Sequence, residues 1–97
     1  MARETRFEWD ARKARENLRK HGVDFTLAMR IFADPHILTE IDETERGELR
    51  YWSIGEVSGR VLVVVHTTVE EEDVEIIRIV SARKATRSER RDYEEDA

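Results

Sequence analysis

Five consecutive apolar residues, Val61-Leu62-Val63-Val64-Val65, constrain the fold more than any other feature of the chain. Successive side chains of a strand point to opposite faces, so a strand apolar on both faces has to be covered on both. The run therefore predicts a central strand, over residues 60–69. The two-residue turn Ser58-Gly59 precedes it and joins it to a strand over 49–57. After the acidic loop 70–73, residues 74–82 supply a strand on the other side, and 37–41 a further one beyond an acidic loop at 42–48. Before the strands the period is helical. Asp10 is a candidate N-cap, Ala11, Ala14 and Leu18 form a stripe, and Gly22 is a stop. Asp24 caps a second helix that buries Leu27, Ala28, Ile31 and Phe32 and ends at Asp34-Pro35. Phe7-Glu8-Trp9 reads as an edge strand or a plug against the sheet. Thr86-Arg87-Ser88-Glu89 is a capping box that opens a last helix running to about residue 95. The expected fold is α+β: two N-terminal helices, an antiparallel meander and a C-terminal helix, in a single domain over 1–97.

Composition removes several classes of function. The 97 residues include no cysteine, so there is neither a disulfide framework nor a thiolate to act as nucleophile or zinc ligand. No apolar run approaches the ~18 residues of a membrane span, and the N-terminus carries no signal-peptide hydrophobic region. A cytoplasmic protein with no membrane association is expected. The net charge of −5 is unevenly spread. Residues 33–49 carry six acids against one arginine, and 70–77 five acids and no base, whereas 78–91 hold six bases against one acid. Residues 1–24 add seven Lys/Arg against five acids, and two basic blocks separated by acidic loops make the local positive patch that attracts a polyanion, or merely solvated faces.

Certain residues fit poorly into a plain structural role. Arg78 lies among Ile76, Ile77, Ile79 and Val80, and Arg50 precedes Trp52 and Ile54 on its strand. A cation in such a setting is either paired or functional. The Ser58-Gly59 turn puts Trp52 opposite Val65, and if 69 lies opposite 74, Val65 faces Arg78. Arg50, Trp52, Val65 and Arg78 then share a sheet face, with the two arginines in reach of one phosphate and its neighbour. Arg83, Lys84 and Arg87 crowd the start of the last helix, against its macrodipole, and suggest an anion site. Lys20-His21 closes the first helix, where cations are electrostatically favoured; histidine is also the side-chain type most used for proton transfer near neutrality. His36 and His66 read as incidental. No HExxH, EF-hand loop, paired acid motif or Gly-rich phosphate loop occurs, so no metal and no cofactor is expected.

The run Phe7-x-Trp9-Asp10-x-x-Lys13-x-x-x-Asn17-x-x-Lys20-His21-Gly22-Val23-x-Phe25 resembles the opening of the BrnT family of type II toxin–antitoxin toxins. The likeness continues through Phe32-x-Asp34-Pro35, Arg50-Tyr51-x-x-Ile54-Gly55 and the stretch from Arg78 to Lys84, and on to Thr86, Glu89, Arg90 and Tyr93. It implies a RelE/ParE-like fold and a metal-independent endoribonuclease that inhibits translation and growth. It also implies a BrnA-like antitoxin with a ribbon-helix-helix part, which covers the active face and through which alone operator DNA is bound. Arg and Lys side chains suit such chemistry, since they stabilise a pentacoordinate phosphorane. Arg50 and Arg78 are the candidate phosphate clamps, with Arg83 assisting; Lys84 and Arg87 are further RNA contacts. Lys20 or His21 is the candidate base or charge stabiliser. Tyr93 is a candidate acid or stacking group, or a residue that packs the last helix on the sheet. Two other readings stay open: a non-catalytic interaction module, and a ParE-like module directed at DNA gyrase. Trp9, Tyr51 and Trp52 are candidates for a partner-binding surface.

Overall fold

The computed structural model describes residues 3–43 and 47–96. The chain runs through β1 (Glu4–Glu8), α1 (Ala11–His21), α2 (Phe25–Ala28), a 3-10 helix (Met29–Ala33), β2 (Leu38–Glu43), β3 (Leu49–Val57), β4 (Arg60–Glu71), β5 (Val74–Lys84) and α3 (Arg87–Asp96). The helix ends are where the sequence puts them. The Asp10 carboxylate accepts from the Lys13 N–H at 3.0 Å, and the Gly22 N–H, at φ 69°, donates to the Leu18 carbonyl at 2.8 Å. The expected second helix is shorter than its apolar face suggested. Asp24 caps a single α-turn, which then tightens into the 3-10 helix before Asp34. Residues 44–46 of the acidic loop expected at 42–48 lie outside the described residues; Asp42 and Glu43 belong to β2.

Among the described residues five strands form one sheet in the order β1-β5-β4-β3-β2. Strands β2 to β5 make the expected antiparallel meander, but β1 joins β5 in parallel, so the sheet is mixed. Only Phe7 of β1 is half-buried, and a strand exposed on both sides shows no alternation to read. The Ser58-Gly59 turn takes both residues to positive φ and pairs Trp52 with Val65, as expected. The second hairpin differs. β4 runs on into the acidic loop to Glu71 while β5 begins at Val74 as expected, and the turn closes on Glu72-Asp73, with Glu72 at φ 55°. Thr67 therefore pairs with Arg78, and a bulge that leaves Val80 unpaired sets Val65 opposite Ser81, not Arg78.

The helices α1 and α2 and the 3-10 segment cover one face of the sheet; on the other, Val61 and Val63 are also buried and Arg83 is tied to Glu89 of α3. Val23, Phe25, Ala28, Ile31, Val57, Leu62, Val64, Ile79 and Ala82 form the buried core of the helix-covered face, with Phe7, Trp9 and Phe32 packed at the margin. The 3-10 helix approaches β3 closely at Gly55, where a Cβ would lie 2.9 Å from the Ile31 Cβ. Past Glu8, β1 no longer pairs with β5, and the Asn17 side chain takes over that edge. Its amide donates to the carbonyls of Ala82, at 2.8 Å, and Val23, at 3.0 Å, and its oxygen accepts from the Ala82 N–H at 3.1 Å.

Candidate functional site

The register places Arg50, Trp52, Val63, Val65, Thr67, Arg78, Ser81 and Arg83 on the sheet face opposite the core helices. The even offset between expected and observed pairing keeps Arg78 on the side of Arg50, because side chains repeat every second residue. Arg78 pairs with Thr67, and Arg50 follows the Tyr51–His66 pair by one step, which brings it level with Thr67. The two arginines thus flank β4 at two strand spacings, about 10 Å between backbones. Arg78 is exposed and holds Glu8 of β1 at 3.2 Å, a surface pair and not a buried one. Arg50 is half-buried. Its nearest carboxylate is Glu48, at 3.8 Å, and its Nε is buried without a hydrogen-bond partner.

Arg83 is differently engaged. It donates to both oxygens of Glu89, at 2.7 and 3.0 Å, and lies 5.7 Å over the Trp52 ring. Glu89 also accepts from the Thr86 N–H at 2.9 Å, while the Thr86 hydroxyl accepts from the Glu89 N–H at 3.1 Å, which completes the capping box. The Arg83 hydrogen bonds are the main cause holding the Glu89 carboxyl down, at about 2. The anion at this helix end is the chain's own Glu89, and Lys84 and Arg87 stand exposed beside it.

Lys20 and His21 project at the free edge of β5. With Lys13, Glu16, Asn17, Val80 and Ser81 they line a groove of about 190 Å³ beside the bulge. Arg78 lies two residues before Val80, so this groove adjoins the open face. Tyr93 is elsewhere. It is buried, and its hydroxyl donates to Asp34, which also accepts from the N–H groups of Glu56 at 2.7 Å and His36 at 2.8 Å. Burial and the Asp34 hydrogen bond push the Tyr93 phenol up to about 12. The chain thus brings Arg50, Arg78 and Arg83 to one face, sets Lys20 and His21 at its edge, and keeps Tyr93 apart. Trp9 packs edge-on against Phe25 at 6.0 Å, and Tyr51 stacks on His66 at 5.6 Å.

His66, taken from the sequence as incidental, is buried in a polar chain. Its Nε2 is 2.8 Å from the Ser53 hydroxyl, itself 2.9 Å from that of Thr39. Burial lowers its pKa to about 4. Ser53, polar between the apolar Trp52 and Ile54, was the available signal. Among the described residues no group of three His, Asp or Glu side chains is placed to hold a metal ion.

Residues 9–89 match the family model described as the ribonuclease toxin BrnT of type II toxin–antitoxin systems. The chain belongs to the BrnT family. A search of curated proteins gave no match. A BrnT chain is a ribonuclease toxin whose system includes an antitoxin. The matched span takes in Asn17, Lys20, His21, Arg50, Arg78 and Arg83, closes on Glu89, and leaves Tyr93 beyond it. No helix among the described residues is long and apolar enough to cross a membrane.

Proposed function

We propose that this BrnT chain, a single RelE-like toxin domain, cuts RNA on the open face of its sheet without a metal ion and so arrests translation. The observation that carries the reading is the pair Arg50 and Arg78, level with each other across β4, on the end of that face away from the buried Val61 and Val63. An RNA strand laid along this face puts a phosphate between the two guanidinium groups, and the planar fork of arginine suits bidentate contact with its oxygens. Trp52, with Arg83 over its ring, offers a surface for a neighbouring base.

In the proposed reaction a base takes the proton of the ribose 2′-hydroxyl, and the 2′-oxygen bonds to phosphorus. The bond from phosphorus to the 5′-oxygen breaks, and that oxygen takes a proton from solvent water and leaves as a hydroxyl. The products are a 2′,3′-cyclic phosphate and a 5′-hydroxyl end. Arg50 and Arg78 stabilise the extra charge on the phosphorane. His21, exposed in the edge groove with Lys20, is the base, and Lys20 adds positive charge. Tyr93 serves as a positioning residue that ties α3 to Asp34. A BrnA-like antitoxin with a ribbon-helix-helix part is the proposed partner, and operator DNA is reached only through it.

The test is cleavage of mixed RNA by purified protein across a series of EDTA concentrations. Cleavage that persists in EDTA, with 2′,3′-cyclic ends, is expected. Arg50→Ala and Arg78→Ala should each cut the rate about 100-fold or more, the scale of losing one transition-state donor. Arg→Lys at either position should do almost as badly. Thermal midpoints should barely move for Arg78→Ala, because exposed ion pairs contribute about 0–1 kcal/mol. Full activity in both alanine variants overturns the site. Loss of DNA supercoiling with intact RNA moves the chain to the gyrase-directed class.

A further inference from the structure

We propose that the antitoxin grips the opposite face of the sheet, in a cradle below the core helices, with a segment that presents a basic side chain between apolar residues. The proposal rests on the toxin–antitoxin reading of the chain but not on where RNA is cut. The helices cover only part of their face. Below them a cavity of about 370 Å³ is lined by Phe32, Ile37, Tyr51, His66, Glu70 and Glu75, among others. Its rings are preset: Phe32 stands edge-on to His66 at 4.9 Å, and Tyr51 stacks on the same imidazole. The register puts Ile41 opposite Tyr51 and Leu49 two residues before it, so both lie on this face. Ile41 is 67% exposed and Leu49 51%. Large apolar side chains left open beside a lined cavity mark a surface that another chain covers.

The mouth of the cradle sets the charge of the occupant. Glu70 and Glu75 stand directly opposite each other on β4 and β5, an arrangement that destabilises the sheet unless a cation answers it. Arg3 reaches Glu70 at 2.6 Å, whereas Glu75 has no cation beside it among the described residues. A lysine or arginine entering here lays its methylenes on Ile37 and Ile77, passes the faces of the rings and ends at Glu75. The cradle holds two carboxylates and no arginine pair, so it takes a basic protein segment, and antitoxin and substrate occupy opposite faces, in place of the expected antitoxin over the active face.

Two substitutions in the full chain test this against a BrnA-like ribbon-helix-helix antitoxin, with affinity read by titration. Glu75→Lys removes a like-charge pair and Ile41→Asp changes an exposed edge position, so both variants fold. Each should weaken antitoxin binding at least about tenfold, the loss of one well-placed interface contact. RNA cleavage by the free variants should stay within about twofold of wild type, since neither residue faces the substrate. Reversing the antitoxin's basic residue to glutamate should restore binding to Glu75→Lys. Affinities within about twofold of wild type for both variants, or no binding by wild type, overturn the proposal. Should wild type bind its antitoxin yet leave RNA intact, the nuclease reading fails and the cradle stands, with thermal midpoints then reporting that the variants are folded.

Discussion

Asn17 spends its whole amide on backbone: two donated hydrogen bonds and one accepted, all buried. In doing so it stands in for a strand neighbour at the edge of β5 and sets α1 beside the bulge. Asn17→Ala orphans the Ala82 N–H and carbonyl and the Val23 carbonyl together, and should cost at least about 3 kcal/mol, from about 1–3 per buried group left unpaired. Asn17→Asp keeps the volume but has nothing to donate, so it should fail as badly, as read in urea unfolding. His66 makes the second residue-scale prediction. Its pKa is depressed from 6.5 to about 4, so in the folded protein it stays neutral where an unfolded histidine takes a proton. Stability at this site is complete above pH 6.5 and declines as the pH falls from 6.5 towards 4. His66→Gln should flatten that part of the pH–stability curve.

The last helix is held at both ends, by Glu89 on Arg83 and by Tyr93 on Asp34. With the Glu89 pKa depressed to about 2, the contribution of the first tie is present above pH 4.5 and is lost as pH falls from 4.5 towards 2. Glu89→Gln should remove the same tie at neutral pH, seen as faster amide exchange in α3, and should free Arg83 to turn towards a bound anion. Much at this scale was legible. The capping box, the Asp10 and Asp24 caps and the first hairpin are local chemistry, carried by residues a few positions apart. What was not legible depended on distance. Nothing near Glu72 announces that a four-residue acidic loop tightens to two, and nothing near Val80 announces a bulge. The shared face of Arg50 and Arg78 was readable all the same, because a register error of even size leaves every side chain on its own side. Tyr93 could be placed on a helix but not assigned a partner, since Asp34 lies 59 residues away. His66 looked unremarkable because its companions, Ser53 and Thr39, come from two other strands.

For the molecule as a whole, the net charge of −5 leaves neither face of one sign. The arginine face carries Arg50, Arg78 and Arg83 with Glu8, Glu40 and Asp42 paired beside them, while Glu70 and Glu75 stand at the cradle behind it. Binding of single-stranded RNA through two or three phosphates should weaken by about tenfold between 50 and 200 mM salt. The measurement is KM against salt at constant kcat, and a flat KM would argue that the arginines do not meet phosphate. The parallel pairing of β1 with β5 has a consequence in time. Glu4 waits for Val74, and Glu8 for Arg78, so the first strand to leave the ribosome stays unpaired until the last one follows. Closing so long a loop comes late in folding. Arg78 and Arg50 are therefore held on a finished sheet only once β5 has met both β1 and β4, so the proposed clamp is assembled at the last step of folding.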